Sequence, residues 1–147
     1  MKMDRFTTAA QEALARAQTD AVGRGNPEVV GLHVLSALLM DRAGPAWSVV
    51  TKAGGDPARV ASMANDEIGR LSKTTSGAGS TGRAVIEMLS RAEQASKSMG
   101  DAYVSSEHLL IALADVPGAA REVLNVNALD RPRLEAAVRD VARHHER

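Results

Sequence analysis

The sequence predicts an all-α domain built from two tandem four-helix repeats related by a pseudo-twofold. Three observations carry that expectation. Residues 31–39 (GLHVLSALL) recur 75 positions later as residues 106–114 (SEHLLIALA). At that offset residues 6–39 match residues 81–114 at eleven of 34 ungapped positions, among them Gly25 with Gly100 and His33 with His108. The composition has one Trp, one Tyr and one Phe beside abundant Ala, Leu and Val, which suits closely packed helices and leaves strands little to build on.

Each element follows from local signals. Thr8 and Gln11 have capping-box spacing for a first helix that places Ala10, Ala13, Leu14, Ala17 and Ala21 on one face. Gly25 with Asn26-Pro27 stops it. A second, more apolar helix runs from about Leu32 to Met40, little of it polar, so it belongs at the centre. Gly44-Pro45 ends it, and Pro45 can open a short third helix carrying Trp47, Val49 and Val50 that Gly54-Gly55 closes. Asp56-Pro57 starts a fourth helix through Val60, Ala64, Ile68 and Leu71.

These four helices make repeat one, about residues 6–71. Residues 72–80 (SKTTSGAGS) are too poor in apolar side chains to pack and read as a flexible connector. Repeat two spans about residues 81–143. Its first helix buries Val85, Met88, Leu89, Ala92 and Ala95 before Gly100. Ser105 or Ser106 caps the next, with Glu107 in the first turn where the helix dipole favours a carboxylate. Pro117 opens a short helix to about Leu124, and Asp130 with Pro132 opens the last, through Leu134, Val138 and Val141. There the offset becomes 74, so one residue is missing from a later loop. Two such units would hide their apolar second helices against each other and leave a groove where they meet.

Composition narrows function. Lys+Arg 18 against Asp+Glu 18 in 147 residues gives no net charge, so nothing draws the chain as a whole to nucleic acid or anionic lipid. Cysteine is absent, which removes disulfides, thiolate catalysis and Cys-type zinc sites and fits a reducing cytoplasm. No apolar run approaches the roughly 20 residues a membrane span needs, and Met1-Lys2-Met3-Asp4-Arg5 leads into no signal-peptide core. The expectation is a soluble cytoplasmic protein without nucleic-acid or membrane partners.

At Glu107-His108-Leu109-Leu110-Ile111-Ala112-Leu113, preceded by Gly100-Asp101-Ala102-Tyr103-Val104-Ser105-Ser106, the chain resembles the N-terminal domain of the Clp family of AAA+ unfoldases. The resemblance covers nearly the whole length. Met3-Asp4-Arg5-Phe6-Thr7, residues 13–18 and the Gly-Asp-x-x-Val-Ser-Ser-Glu turn are more similar to the ClpB, or disaggregase, branch than to the protease-linked branches. This implies a Clp N-domain type of fold. It also implies a mobile accessory domain ahead of an ATP-driven ring, expected to be a hexamer, that captures exposed apolar segments of unfolded or aggregated polypeptides. ATP and magnesium would belong to the AAA+ modules of the parent. No Gly-x-x-x-x-Gly-Lys-[Ser/Thr] loop occurs here, so neither cofactor nor enzymatic activity is expected of this chain.

The resemblance also implies site residues. Thr7, Asp101 and Glu107 match positions that matter for function in the disaggregase branch. Leu89, Val104 and Leu109 would line an apolar client groove on the first two helices of repeat two. His108 falls where the family commonly has Leu, which makes the lining more polar. Relatives that recognise phosphorylated arginine carry Gly-Thr-Glu-His in both repeats; here Leu32 replaces the first Glu, so that recognition is not expected. Two other functions fit the resemblance: docking of adaptor proteins in a protease-linked unfoldase, and a stand-alone binding or decoy protein.

Plainer roles stand beside these. His33 and His108 sit in the first turn of apolar helices and suit rings bonded to neighbouring backbone rather than metal ligands. His144 and His145 have no partner at ligand spacing. Thr7, Asp101 and Glu107 are equally suited to caps and turns, and Leu89, Val104 and Leu109 to the core. No nucleophile or cofactor motif accompanies the carboxylates.

Overall fold

In the computed structural model the described residues are 3–145, with side chains described through residue 142. His144 and His145, considered above as metal ligands, have side chains outside the described residues. After a short 3-10 turn at Met3–Arg5 come α1 (Thr8–Arg24), β1 (Glu28–Val29), α2 (Gly31–Met40), α3 (Pro45–Lys52), α4 (Pro57–Gly69), β2 (Ser80–Thr81), α5 (Arg83–Ser98), α6 (Ser106–Asp115), α7 (Ala119–Val126) and α8 (Arg131–His145). The two runs of four helices repeat each other in order, and their second and third helices have equal lengths, 10 and 8 residues.

The first helix starts one residue earlier than its sequence suggests. Thr7, in extended conformation, is the N-cap, and its hydroxyl accepts from the Ala10 N–H at 3.2 Å. Gln11 still reaches back, donating to the Phe6 and Met3 carbonyls at 2.9 and 3.1 Å. Thr7 wins because its own N–H is taken at 2.9 Å by the Val104 carbonyl, which holds it out of the helix. Ala10, Ala13, Ala17 and Ala21 are buried. Gly25 ends α1 and Gly100 follows α5, both at φ 73°, and in both turns the next N–H returns to the helix: Asn26 to Ala21 and Asp101 to Ser96, each at 2.9 Å.

The second helices form the centre. Residues 32–39 of α2 and 108–114 of α6 are buried throughout, and α2 packs against α6 across the pseudo-twofold. The outer helices cross over: α3 packs on α8 and α4 on α7, so each repeat's fourth helix rests on the other's third. Asp56 caps α4 through the N–H groups of Ala58 and Arg59, and Asp130 accepts from Arg133 at the start of α8. The helix expected to open at Pro117 begins at Ala119, because Gly118 takes φ 154° and breaks the run. The missing residue is in this loop: four residues join α2 to α3 and three join α6 to α7.

Short strands do form, and they tie the repeats together. β1 and β2 pair in parallel, Val29 opposite Thr81, and an isolated bridge joins Phe6 to Val104. These are equivalent pairings under the repeat, since Phe6 matches Thr81 and Val29 matches Val104. The entry to each repeat's first helix is thus paired with the entry to the other repeat's second helix. Residues 72–80 run back along the first turn of the chain: Thr74 donates to Gly25, Gly79 to Asn26 and Ser80 to Pro27, while Asn26 Nδ2 donates to the Ser72 carbonyl.

Candidate functional site

The two buried histidines are repeat-related and wired alike. His33 Nδ1 accepts from the Val30 N–H at 3.0 Å, and His108 Nδ1 accepts from the Ser105 N–H at 2.8 Å. Each ring sits three residues into its helix and satisfies the N-cap N–H that the helix cannot. With Nδ1 accepting, Nε2 carries the hydrogen and donates: His33 to Asn26 Oδ1 at 2.9 Å, His108 to Asp101 Oδ2 at 2.7 Å. Asn26 and Asp101 are matched positions. Burial lowers the pKa of His33, with Asp20 opposing and Arg24 adding to the shift. Both ring nitrogens of each histidine are committed, and among the described residues no three His, Asp or Glu side chains gather around a metal position.

Ser105 Oγ also lies 2.9 Å from His108 Nδ1, which with Asp101 aligns a serine, a histidine and a carboxylate. This row is a helix cap. The Nδ1 lone pair that would take the serine proton already accepts a backbone N–H, and repeat one keeps the same ring bond with Val30 in the serine's place.

Around that cap lies a cleft of about 460 Å³ between the α5–α6 turn and α8. It brings Asp101, Glu107 and His108 together with Tyr103 and Arg139, over an apolar floor of Met99, Val138 and Ala142. Glu107 also lines a neighbouring cleft of about 410 Å³ that runs on to Pro45 and Ser48 at the start of α3. His108 is only 2% exposed, so it forms the wall rather than a reaching group, whereas the Asp101 side chain is 48% exposed. Tyr103, 60% exposed, presents an aromatic ring beside two carboxylates.

The other sequence-derived residues lie elsewhere. Val104 and Leu109 are fully buried in the core, and Leu89 is half-buried against it. Thr7 caps α1 and stands behind the cleft through its bond to Val104. Met99, Tyr103, Val138 and Arg139 are among the cleft residues that the sequence does not mark as site positions. Tyr103, the single tyrosine of the chain and placed within the Gly-Asp turn, is the one that a search for exposed aromatic residues would find. Two carboxylates, a guanidinium, an aromatic ring and apolar side chains give this cleft a mixed polar and apolar lining.

The sequence profile of the Clp repeat (R) N-terminal domain matches residues 5–127. The chain is 34% identical over 143 residues to the ClpB chaperone of Propionibacterium freudenreichii subsp. shermanii, a match covering 95% of this chain and 16% of that protein. It is 32% identical to the ClpB chaperone of Rhodopirellula baltica, over 85% of this chain and 14% of that one. The chain thus spans about a sixth of the length of these relatives. Among solved structures, the N-terminal domain of Hsp104 from Candida albicans superimposes with a TM-score of 0.77 at 16% identity, covering 90% of this chain and 87% of that one. A ClpV N-domain solved in complex with a VipB peptide gives 0.72 at 20% identity, covering 90% and 83%.

Proposed function

We propose, on the premise that this chain belongs to the Clp repeat N-terminal domain family, that it captures exposed apolar segments of unfolded or aggregated proteins for a ClpB-type disaggregase. It is a ClpB-like N-terminal Clp domain and not an ATPase module, so the work it does is binding. The observation that carries the reading is the cleft that brings Asp101 and Glu107, positions the resemblance singles out, together with Tyr103 and Arg139 over Met99 and Val138, an open surface of mixed apolar and charged character. Ordering an unfolded segment in an open cleft is costly, so affinity is weak and exchange fast. That suits repeated capture and handover to an AAA+ ring in the cytoplasm.

Amide NMR shifts over residues 81–142 test this, with reduced, carboxymethylated α-lactalbumin as the unfolded probe and the native protein as control. Shifts clustering at Asp101–Glu107 and on α8 with the unfolded form alone are expected. No shift at high probe concentration removes the reading. The ClpV N-domain seen with a VipB peptide supports a second reading, docking of one defined partner segment; binding of a folded adaptor that leaves unfolded protein unbound would favour it.

A further inference from the structure

The repeat duplicates one surface hollow, and the two copies have diverged. The first lies between the start of α1 and the end of α2, a cavity of about 80 Å³ with Glu12, Arg16 and Asp41 in its wall. Its counterpart lies between the start of α5 and the end of α6, against the first turns of α2 and α7, with a volume of about 220 Å³. Leu32, Ala84, Met88, Leu113, Val116 and Ala120 are among its lining, and no charged side chain is. Ala9 and Ala84, Ala13 and Met88, Leu38 and Leu113, Asp41 and Val116 occupy matched positions.

The loss of charge has a visible cause. Glu87 and Arg91 match Glu12 and Arg16 and would carry the same charges to the second cavity. They are drawn off instead: Arg91 Nη2 lies 2.8 Å from Glu87, and its Nη1 lies 2.8 Å from Asp115, which also holds Arg131 at 3.0 Å. Asp115 stands where repeat one has the exposed Met40, and Val116 stands where it has Asp41. Exchanging Met-Asp for Asp-Val therefore removes a carboxylate from the cavity wall and supplies the anchor that holds the arginine away. Burial pushes the Asp115 pKa up, but Arg91 and Arg131 outweigh it and hold the carboxyl below its usual range, so the anchor stays ionised at neutral pH.

An open apolar cavity of this size offers water few hydrogen-bond partners, and an apolar group that enters releases that water. A void of about 150 Å³ already accepts benzene, so this one has room for an aliphatic or aromatic side chain. A charged group would lose hydration without gaining a partner. Met88, 1% exposed, forms the inner wall with a polarisable thioether side chain.

We infer that this cavity receives one bulky neutral side chain, leucine to tryptophan in size, of an unfolded client segment. The inference rests on the client-capture reading and adds a second contact at the start of α5, remote from Asp101, which follows the other end of that helix.

Side-chain methyl NMR at Met88, Leu113 and Val116 tests it, with N-acetyl-tryptophanamide as probe and N-acetyl-lysinamide as charged control. Saturable shifts with the tryptophan amide alone are expected. Ala84→Phe, at an exposed position on the rim, fills the mouth, and Ala9→Phe makes the same change at the matched position. Ala84→Phe should weaken binding of both the tryptophan amide and the unfolded lactalbumin about tenfold, the loss of one buried apolar side chain, while Ala9→Phe leaves both unchanged. Absence of methyl shifts with the tryptophan amide overturns the inference whatever the unfolded protein does. Unfolded protein that binds Ala84→Phe as tightly as the wild type also overturns it, and leaves the cleft reading standing. Unfolded protein that fails to bind the wild type removes the cleft reading and the client occupant together.

Discussion

Replacing Asp101 separates its structural duty from any contact with a client. His108 is 2% exposed and its Nε2–H has Asp101 Oδ2 as partner at 2.7 Å. In Asp101→Ala that buried donor is left without an acceptor, at a cost of about 1–3 kcal/mol. Asp101→Asn keeps an acceptor, and repeat one shows that an amide fits the place: Asn26 Oδ1 sits 2.9 Å from His33 Nε2. The expected losses are therefore about 2 kcal/mol for Asp101→Ala and less than about 1 kcal/mol for Asp101→Asn. In urea these correspond to midpoint drops of about 1 M and less than about 0.5 M. Equal drops would refute the wiring of the second cap. Because Asp101→Asn keeps the fold and removes the charge, weaker binding of unfolded protein by this variant reports the carboxylate acting on the client itself.

Three further outcomes follow from local geometry. Thr7→Ala removes the N-cap of α1 and should cost about 1 kcal/mol in thermal unfolding, with Thr7→Ser close to wild type; equal losses would contradict the cap. Gly25→Ala, at φ 73°, should destabilise by about 1 kcal/mol, whereas Gly23→Ala, helical, exposed and with open space at its Cβ, should stabilise by about 0.5–1 kcal/mol. The lowered pKa of His33 means that the unfolded chain takes up the proton first, so its contribution is complete above the ordinary value of 6.5 and is lost as pH falls below it. Denaturant midpoints between pH 7.5 and 5.5 should fall more steeply in the wild type than in His33→Gln, and parallel slopes would exclude the effect.

The architecture is legible where a chemical requirement recurs. Gly25 and Gly100 must adopt positive φ, His33 and His108 must close matched caps, and residues 32–39 and 108–114 are apolar but for His33, Ser36 and His108 because they are buried on every side. Local sequence does not decide between Thr7 and Thr8, which have the same capping chemistry; a bond from the distant Val104 carbonyl does. Two-residue strands leave no periodicity to read, so β1, β2 and the Phe6–Val104 bridge stay invisible until the fold is closed. In the site, Asp101, Glu107 and His108 are marked by one compact motif and meet in one cleft. Apolar spacing says that Val104 and Leu109 face inward, but it cannot say whether the space they face is filled; here it is. The charge-free cavity depends on ion pairs among α5, α6 and α8 that no local window contains.

The crossed pairing at the helix entries governs how the chain reaches this structure. Phe6 must find Val104 across most of the sequence before α1 is anchored, and Val29 must find Thr81 before α5 is. Closing such long loops costs entropy before any contact rewards it, so this helical domain carries part of the topological delay of a sheet protein. Isolated helices can flicker early, but neither half owns the strand that completes it, so the two halves are expected to form their entry pairings together. A chain cut after Gly69 would lack the partners of Phe6 and Val29 together.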